Sequence, residues 1–315
     1  MSPGSSRGLS RLARALAVLL GLAYAGAHFA GAIAFFDNLS NFPVHFAAAF
    51  LTGAALFAAL KNRPWAIACA AAAALAFAPV VPWYFGPEET PYDATQPFVK
   101  FLVSNVDFAN DEHETLRQRI ADENPDVIGL VEVTSAWVAN LQALRAAYPH
   151  HLEIPDEHYV GLALYSRLPL ADARVLDLGL ASTPAIAATL MTEAGEIEIV
   201  LAHPMSPVSA EFIDRRNEQL LALAQYIAAS GKPVILAGDL NLTMWNDNYS
   251  PLAETGGLRN ARDGHGVAPT WPAIGLIGVP IDHILATPDI VLRNFRVLGS
   301  VGSDHLPIST EFSLR

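Results

Sequence analysis

Three long stretches without a single acidic residue, lysine or arginine lie before residue 90, and they constrain the fold more than any other feature of the chain. They cover residues 15–36, 42–60 and 64–85 and are 22, 19 and 22 residues long. A helix needs about 20 apolar residues to cross the hydrocarbon core of a bilayer. Because the linkers between the stretches are only long enough for hairpin turns, we predict a membrane anchor of three transmembrane helices in residues 1–86.

An alternative interpretation is a signal peptide followed by buried core helices. The small residues at positions 23–27, AYAGA, are compatible with a cleavage site after the first apolar stretch. Two further apolar stretches follow at once, however, and would still need a membrane. The anchor is therefore the favoured interpretation.

The basic residues near these stretches predict their orientation. Arg7, Arg11 and Arg14 precede the first stretch, and Lys61 and Arg63 separate the second from the third. The segments that follow the first and third stretches contain no lysine or arginine. Because cytoplasmic loops of membrane proteins carry an excess of Lys and Arg, the amino terminus is expected in the cytoplasm of a bacterium. The chain after residue 86 is then expected in the periplasm or outside the cell.

Charge and cysteine content differ between the two parts of the chain. Residues 1–96 carry a net charge of +1, and the remainder carries −13. An acidic domain repels the phosphate backbone of nucleic acids unless metal ions or a local basic patch offset the charge. The one cysteine, Cys69, lies in the third apolar stretch, so the exported part has no disulfide. That part is compatible with an oxidising compartment.

The pattern after the anchor is typical of an α/β domain. A polar, proline-bearing linker covers residues 87–97, and strand and helix patterns interleave over residues 98–315. Several neighbouring strands are hairpin-like. This mixture favours two β-sheets packed on each other with helices outside, rather than one purely parallel sheet.

Six apolar runs of this domain end or begin with a carboxylate, a carboxamide or an imidazole. These polar residues are Asn105, Asp107, Glu132, His203, Asp239, Asn241, Asp282, Asp304 and His305. Strand ends deliver side chains to a shared cleft, and oxygen donors of this kind suit Mg²⁺. The absence of CxxC and HExxH patterns disfavours a zinc site. Histidines can act as acid or base near neutral pH, so the set predicts metal-dependent hydrolysis at phosphorus.

Six short motifs within residues 98–315 carry a family resemblance: SNVD, GLVEV, AHPMSP, GDLNLT, IDHIL and GSDHLPI, in this order. In these motifs the chain resembles the endonuclease/exonuclease/phosphatase superfamily with its deoxyribonuclease-like fold. With its apolar stretches, it is similar to the bacterial membrane-anchored members. The resemblance implies a four-layer α/β sandwich of two mixed sheets. It also implies phosphoester cleavage that depends on Mg²⁺ or Mn²⁺.

The resemblance implies a role for each motif residue. Glu132 would be the principal metal ligand, helped by Asn105, Asp107 and Asp304.

The remaining motif residues would act on the substrate. Asp239 would align or deprotonate the attacking water, with Asn241 beside it holding the phosphate. Asp282 would hydrogen-bond His305, which would face the scissile phosphate. His203 would act as acid for the leaving oxygen.

The substrate stays open between two kinds of phosphoester. A nuclease-like phosphodiesterase is one expectation, and an enzyme for lipid headgroups or small phosphoesters of the same fold is the other. A third alternative is a non-catalytic membrane scaffold. The expected partners are the substrate and the lipid bilayer, and no protein partner is inferred. We expect Arg215 and Arg216 on a solvated helix face, and Trp245 and Trp271 either packed in loops or forming a substrate platform.

Overall fold

The computed structural model describes residues 3–28, 33–86, 97–176, 178 and 183–315. The predicted linker 87–97 lies outside the described residues except for Pro97.

The amino-terminal part is helical throughout its described residues. Its helices are α1 (Pro3–Ala27), α2 (Ala34–Leu39), α3 (Pro43–Ala59) and α4 (Arg63–Phe77), followed by a 3₁₀ helix over Ala78–Tyr84. Pro43 and Pro64 lie in the first turns of α3 and α4. Proline is tolerated there because the first backbone amides of a helix have no partner within it.

Two segments of these described helices are long and apolar enough to cross a membrane, Ser10–Ala27 and Arg63–Tyr84. Helix α3 is also apolar but has 17 residues. The first predicted span, 15–36, differs from the structure, because α1 ends at Ala27 and a separate short helix, α2, follows. Asp37 and Asn38 of α2 bond to the following domain, while α2 also remains in contact with α1.

The domain after the amino-terminal helices contains twelve strands within the described residues. They are β1 (Val99–Asn105), β2 (Val127–Val131), β3 (His150–Ile154), β4 (Leu162–Ser166), β5 (Leu170–Leu176), β6 (Ala185–Thr192), β7 (Gly195–Ala202), β8 (Val234–Asp239), β9 (Arg259–Asn260), β10 (Asp282–Ala286), β11 (Ile290–Val297) and β12 (Ile308–Leu314). Its helices are α5 (His113–Glu123), α6 (Ser135–Leu141), α7 (Leu144–Ala147), α8 (Ala210–Ser230) and α9 (Tyr249–Gly256).

The strands form two mixed sheets that pack face to face. The orders are β11-β12-β1-β2-β4-β3 and β5-β6-β7-β8-β10-β9, with β1–β2 and β7–β8 parallel and the other pairs antiparallel. Phe101, Ile199 and Ile284 belong to the core between the sheets. Leu116 of α5 and Leu220 of α8 belong to separate apolar clusters on the two outer faces. The prediction of two packed mixed sheets flanked by helices is confirmed.

One surface expectation is wrong. Arg215 is exposed and pairs with Glu211, but Arg216 is fully buried. Its Nη2 donates to Asp37 Oδ2 at 2.7 Å. A helix pattern alone could not reveal this partner, because Asp37 lies in the amino-terminal part of the chain.

Candidate active site

Neighbouring strand ends of both sheets meet at one edge of the sandwich and carry the predicted polar residues. Asn105 ends β1, Asp239 ends β8, and Glu132 follows β2 directly. Asn105 Nδ2 donates to Glu132 Oε1 at 2.8 Å and to Asp239 Oδ2 at 3.1 Å. This amide therefore joins the polar end of the first sheet to that of the second.

His305 lies between two carboxylates. Its Nδ1 is 2.9 Å from Asp282 Oδ2, and its Nε2 is 3.5 Å from Asp239 Oδ2. Because a carboxylate accepts hydrogen bonds, Nδ1 carries a proton. Burial lowers the pKa of His305, but Asp282 and Asp239 outweigh it and raise the pKa to about 10. The imidazole is thus held in its cationic form at neutral pH.

Asp239 is buried but kept ionised. The Asn241 backbone N–H donates to its Oδ1 at 2.9 Å. Burial raises the pKa of Asp239, but the charges of His305 and His203 and this hydrogen bond outweigh it and lower the pKa to about 2. Asp239 therefore offers a carboxylate at any physiological pH.

The ring of His203 is oriented by the backbone. Its Nδ1 is 2.8 Å from the Tyr159 carbonyl oxygen, to which it donates. Its Nε2 is 3.1 Å from Asn241 Nδ2, 3.5 Å from Asp239 Oδ2 and 3.8 Å from Glu132 Oε1. Burial lowers the pKa of His203, but the two carboxylates prevail and raise it. The ring is therefore held with Nε2 directed at the carboxylate cluster.

Three residues of the site have left-handed backbone conformations. The φ angles are +63° at Glu132, +59° at Asp107 and +53° at Asn241. Positive φ is uncommon for residues other than glycine, and such strain concentrates at functional sites.

The side chains around Glu132 limit how Asn105 could bind a metal. Asn105 Oδ1 accepts the Asp107 N–H at 3.0 Å, so its NH₂ group faces the carboxylates. The amide would have to rotate for Asn105 to offer oxygen to a cation. Asp107 Oδ1 accepts the Ala109 N–H at 2.9 Å.

Asp304 and Trp271 lie on the other side of the site. Trp271 Nε1 donates to Asp304 Oδ2 at 2.8 Å, while Asp304 Oδ1 is 3.9 Å from His305 Nε2. The indole ring of Trp271 is 6.3 Å from the His305 ring and lines the pocket. Trp245, by contrast, packs against the core beneath α8. Trp271 therefore has the pocket position expected of a substrate platform, whereas Trp245 is a packed aromatic side chain.

These groups surround a pocket of about 450 Å³. Seven of the nine predicted residues line it: Asp107, Glu132, His203, Asp239, Asn241, Asp304 and His305. Asn105 and Asp282 lie directly behind them, bonded to Glu132 and His305. The structure thus brings all nine together, and their chemical roles stay predictions.

Other lining residues were not found by the motif analysis. Asn38, Asn41 and Phe42 come from the amino-terminal part, and Val208 follows the AHPMSP motif. They carry no recognisable sequence signal, because their position depends on contacts between distant segments.

The donor set fits a hard divalent cation. Four carboxylates line the pocket, and its described lining residues include no Lys or Arg. Burial raises the pKa of Glu132, the direction expected of a buried carboxylate without a compensating cation. Asp239, Asp282 and His305 also offer ligand atoms within 4.8 Å of one another. Since Asp282 and His305 already bond to each other, the oxygen-rich side around Glu132 fits a hard cation better.

Comparison with known proteins places the chain in a family. The family model described as Endonuclease/Exonuclease/phosphatase family matches residues 102–305. Similar solved structures include D. rerio TDP2 complexed with single strand DNA product, with 21% identity over 70% of this chain and 100% of that one and a TM-score of 0.57. The human Nocturnin catalytic domain with bound sulfate has 21% identity, covers 70% and 96%, and has a TM-score of 0.58.

A mannosyl-6-phosphatase from Bacteroides thetaiotaomicron has 16% identity, covers 69% of this chain and 100% of that one, and has a TM-score of 0.54. At these identities the structures establish the fold alone. No curated protein matches the chain. Because the family model spans more than half of its length, this protein belongs to the Endonuclease/Exonuclease/phosphatase family, whose members are phosphoester hydrolases.

Proposed function

We propose that this protein is a membrane-anchored, divalent-metal-dependent phosphodiesterase that acts outside the cytoplasm. The observation that carries the proposal is the position of Asp239. Its carboxylate lies 3.5 Å from both His203 Nε2 and His305 Nε2, beside a pocket lined with further carboxylates. An ionised acid between two imidazoles suits attack of water on a phosphoester.

Glu132, Asp107 and Asp304 are the residues that would hold Mg²⁺ or Mn²⁺, with Asn105 joining them if its amide rotates. The bound ion would stabilise negative charge on the phosphate oxygens as a Lewis acid.

The other side chains supply the remaining chemistry. Asp239 aligns the attacking water and takes up its proton as the water oxygen bonds to phosphorus. His305, held cationic by Asp282, stabilises charge on a non-bridging oxygen. His203 Nε2 gives its proton to the leaving oxygen as the old P–O bond breaks. Asn241 donates its backbone N–H to Asp239 Oδ1, and its side-chain amide lies 3.1 Å from His203 Nε2, so it keeps these two groups in register.

The membrane arrangement rests on three supports. Only 11% and 22% of the residues in the two long apolar segments are buried, which favours membrane spans over core helices of a soluble domain. Basic residues flank the amino terminus of α1 and the α3–α4 turn. Asn38 of α2 and Asn41 of the turn after it bond to the domain that carries the pocket. The segment after α2 and the domain it contacts therefore lie on one side of the membrane, and the basic residues lie on the other.

The test uses the full-length protein in detergent micelles with methyl p-nitrophenyl phosphate as substrate. We expect turnover with Mg²⁺ or Mn²⁺ that stops with chelator. We expect His305→Ala to lower kcat by at least about 10²-fold, the range for loss of a positioned acid–base group. His151→Ala, at an exposed histidine of β3 that does not line the pocket, is the matched control.

A non-catalytic scaffold makes the opposite prediction. The wild type would then show no metal-dependent turnover, and calorimetry would show no heat of Mg²⁺ binding. The proposed function would be contradicted if the wild type showed no turnover, or if turnover did not depend on the metal.

A further inference from the structure

Residues 37–42, which comprise the end of α2 and the turn before α3, are here called the anchor loop. It lies against the catalytic domain. Asn38 Nδ2 donates to the Pro207 carbonyl at 2.8 Å. The Thr243 backbone N–H and hydroxyl donate to Asn41 Oδ1 at 2.8 and 3.0 Å. The loop is therefore bonded to the segments that carry the AHPMSP and GDLNLT motifs.

A buried ion pair connects the anchor loop to the catalytic residues. Arg216 donates through Nη2 to Asp37 Oδ2 at 2.7 Å and through Nη1 to the Asn241 carbonyl at 3.0 Å. Both charged side chains are buried. Asn248 Nδ2 also donates to Asp37 Oδ1 at 3.0 Å. Arg216 thus links Asp37 to the backbone of Asn241, whose N–H in turn donates to Asp239.

The anchor loop also forms one wall of the pocket. Asn38, Asn41 and Phe42 line it together with the predicted catalytic residues. Phe42 directly precedes α3, so this wall continues into an apolar helix. Two further apolar residues, Phe108 and Val208, also line the pocket and are 44% and 77% exposed. The pocket therefore combines a polar floor with apolar side chains at its mouth.

A second part of the anchor contacts the loop that carries Trp271. His45 Nε2 of α3 is 2.6 Å from the Ile277 carbonyl oxygen. Ile274 and Ile277 of this loop are 61% and 64% exposed. Large apolar side chains exposed beside the start of the apolar helix α3 are placed to contact lipid.

From these contacts we infer that the anchor loop is part of the substrate pocket, and that the substrate is an amphiphilic phosphoester taken from the bilayer surface. The inference rests on the proposed function. Its chemical basis is a phosphate on the carboxylate and imidazole floor and an apolar chain along Phe42 and Val208. The net charge of −13 after residue 96, and the lack of Lys or Arg among the described lining residues, disfavour a polyanionic nucleic acid.

The test compares two diesters that differ only in the chain, methyl and octyl p-nitrophenyl phosphate, with the full-length protein in detergent micelles. We expect the ratio of octyl to methyl kcat/KM to fall about tenfold in Phe42→Ala, mainly through KM, because one aromatic contact to the chain is lost. Partition of the octyl ester into micelles is the same for every variant. A difference in the octyl-to-methyl ratio between variants therefore measures how the pocket wall binds the alkyl chain.

Two further variants provide a second test of the pocket wall and a control. Val208→Asn changes an exposed side chain without disturbing the fold, and it should lower the ratio in the same direction. Phe35→Ala removes an exposed aromatic of α2 that does not line the pocket, and it should keep the wild-type ratio.

The outcomes separate the two proposals. Metal-dependent turnover of the methyl ester with an unchanged ratio in both Phe42→Ala and Val208→Asn would overturn the inference and leave the proposed function standing. Preference for a single-stranded oligonucleotide over the octyl ester would also overturn it. No turnover of either ester by the wild type would instead remove the proposed function.

Discussion

At the scale of single residues, burial decides what a charged side chain does. Arg215 and Arg216 are neighbours on α8, yet Arg215 forms an exposed pair with Glu211 while Arg216 pairs with Asp37 inside the molecule. Removing one partner of a buried pair leaves an uncompensated charge, whereas exposed pairs contribute little.

We therefore predict that Arg216→Ala lowers the free energy of unfolding by about 3–5 kcal/mol. Arg215→Ala, the matched control, should change it by no more than about 0.5 kcal/mol. Guanidinium titration of the micelle-bound protein, followed by tryptophan fluorescence, measures both. Equal effects of the two substitutions would show that the Asp37 contact does not stabilise the fold.

A second residue-scale prediction concerns pH and His283, which faces away from the pocket. Its Nδ1 accepts from Asn260 Nδ2 at 3.0 Å, and its Nε2 donates to the Leu242 carbonyl at 2.9 Å. Burial and the charge of Arg262 lower its pKa from 6.5 to about 3. At pH values between about 3 and 6.5, His283 is therefore protonated in the unfolded chain but neutral in the folded protein.

His283 should therefore stabilise the fold fully above its unfolded pKa of about 6.5. That contribution should fall by up to roughly 1.4 kcal/mol per pH unit as the pH drops towards 3. Unfolding titrations at pH 7, 6 and 5 test this, and His283→Asn should show a shallower pH slope. An identical slope in wild type and variant would mean that His283 does not stay neutral in the fold.

At the scale of elements, close packing of β7 and β8 positions Asp239. Gly238 has φ +137°, and a Cβ there would lie 1.9 Å from the Ala202 carbonyl oxygen. Only glycine fits at this contact, directly before Asp239. Gly231, at the end of α8, has φ +65° but open space around it.

We predict that Gly238→Ala destabilises the protein by about 3 kcal/mol or more through overpacking, and lowers kcat about 10²-fold by displacing Asp239. Gly231→Ala should cost only about 1 kcal/mol, the strain of a left-handed residue, and leave kcat unchanged. Unfolding and turnover measurements on the same preparations check both. Normal kcat in a folded Gly238→Ala variant would contradict the role of this strand contact.

At the scale of the whole molecule, the contacts of the anchor predict how the catalytic domain sits on the membrane. Val208 lies at the pocket mouth beside the anchor loop. Lys232 precedes β8, at the opposite end of the strand from Asp239. Six residues of strand separate the two ends by about 20 Å.

We predict that a fluorophore at Val208→Cys, in a Cys69→Ala background, is strongly quenched by doxyl-labelled lipids in nanodiscs. The same label at Lys232→Cys should be quenched much less. Equal quenching at both positions, or none at Val208, would show that the pocket mouth does not face the bilayer.

Much of the catalytic domain followed from local sequence. Alternating and continuous apolar runs marked most of its strands, because side-chain periodicity is a property of neighbouring residues. The same runs ended in the polar motif residues, so all nine site residues could be named before their geometry was known. The apolar stretches likewise indicated the anchor from length and charge alone.

Only the tertiary structure decided how the two parts combine. Arg216 and Asp37 are 179 positions apart, and Thr243 and Asn41 are 202 apart. No pattern of neighbouring residues encodes such pairs, so Arg216 was expected in solvent and Phe42 was expected only in a membrane span. Each partner takes its role from burial against a distant segment. For that reason the sequence determined the candidate site residues and the apolar stretches, while the three-dimensional packing made the anchor loop a wall of the pocket.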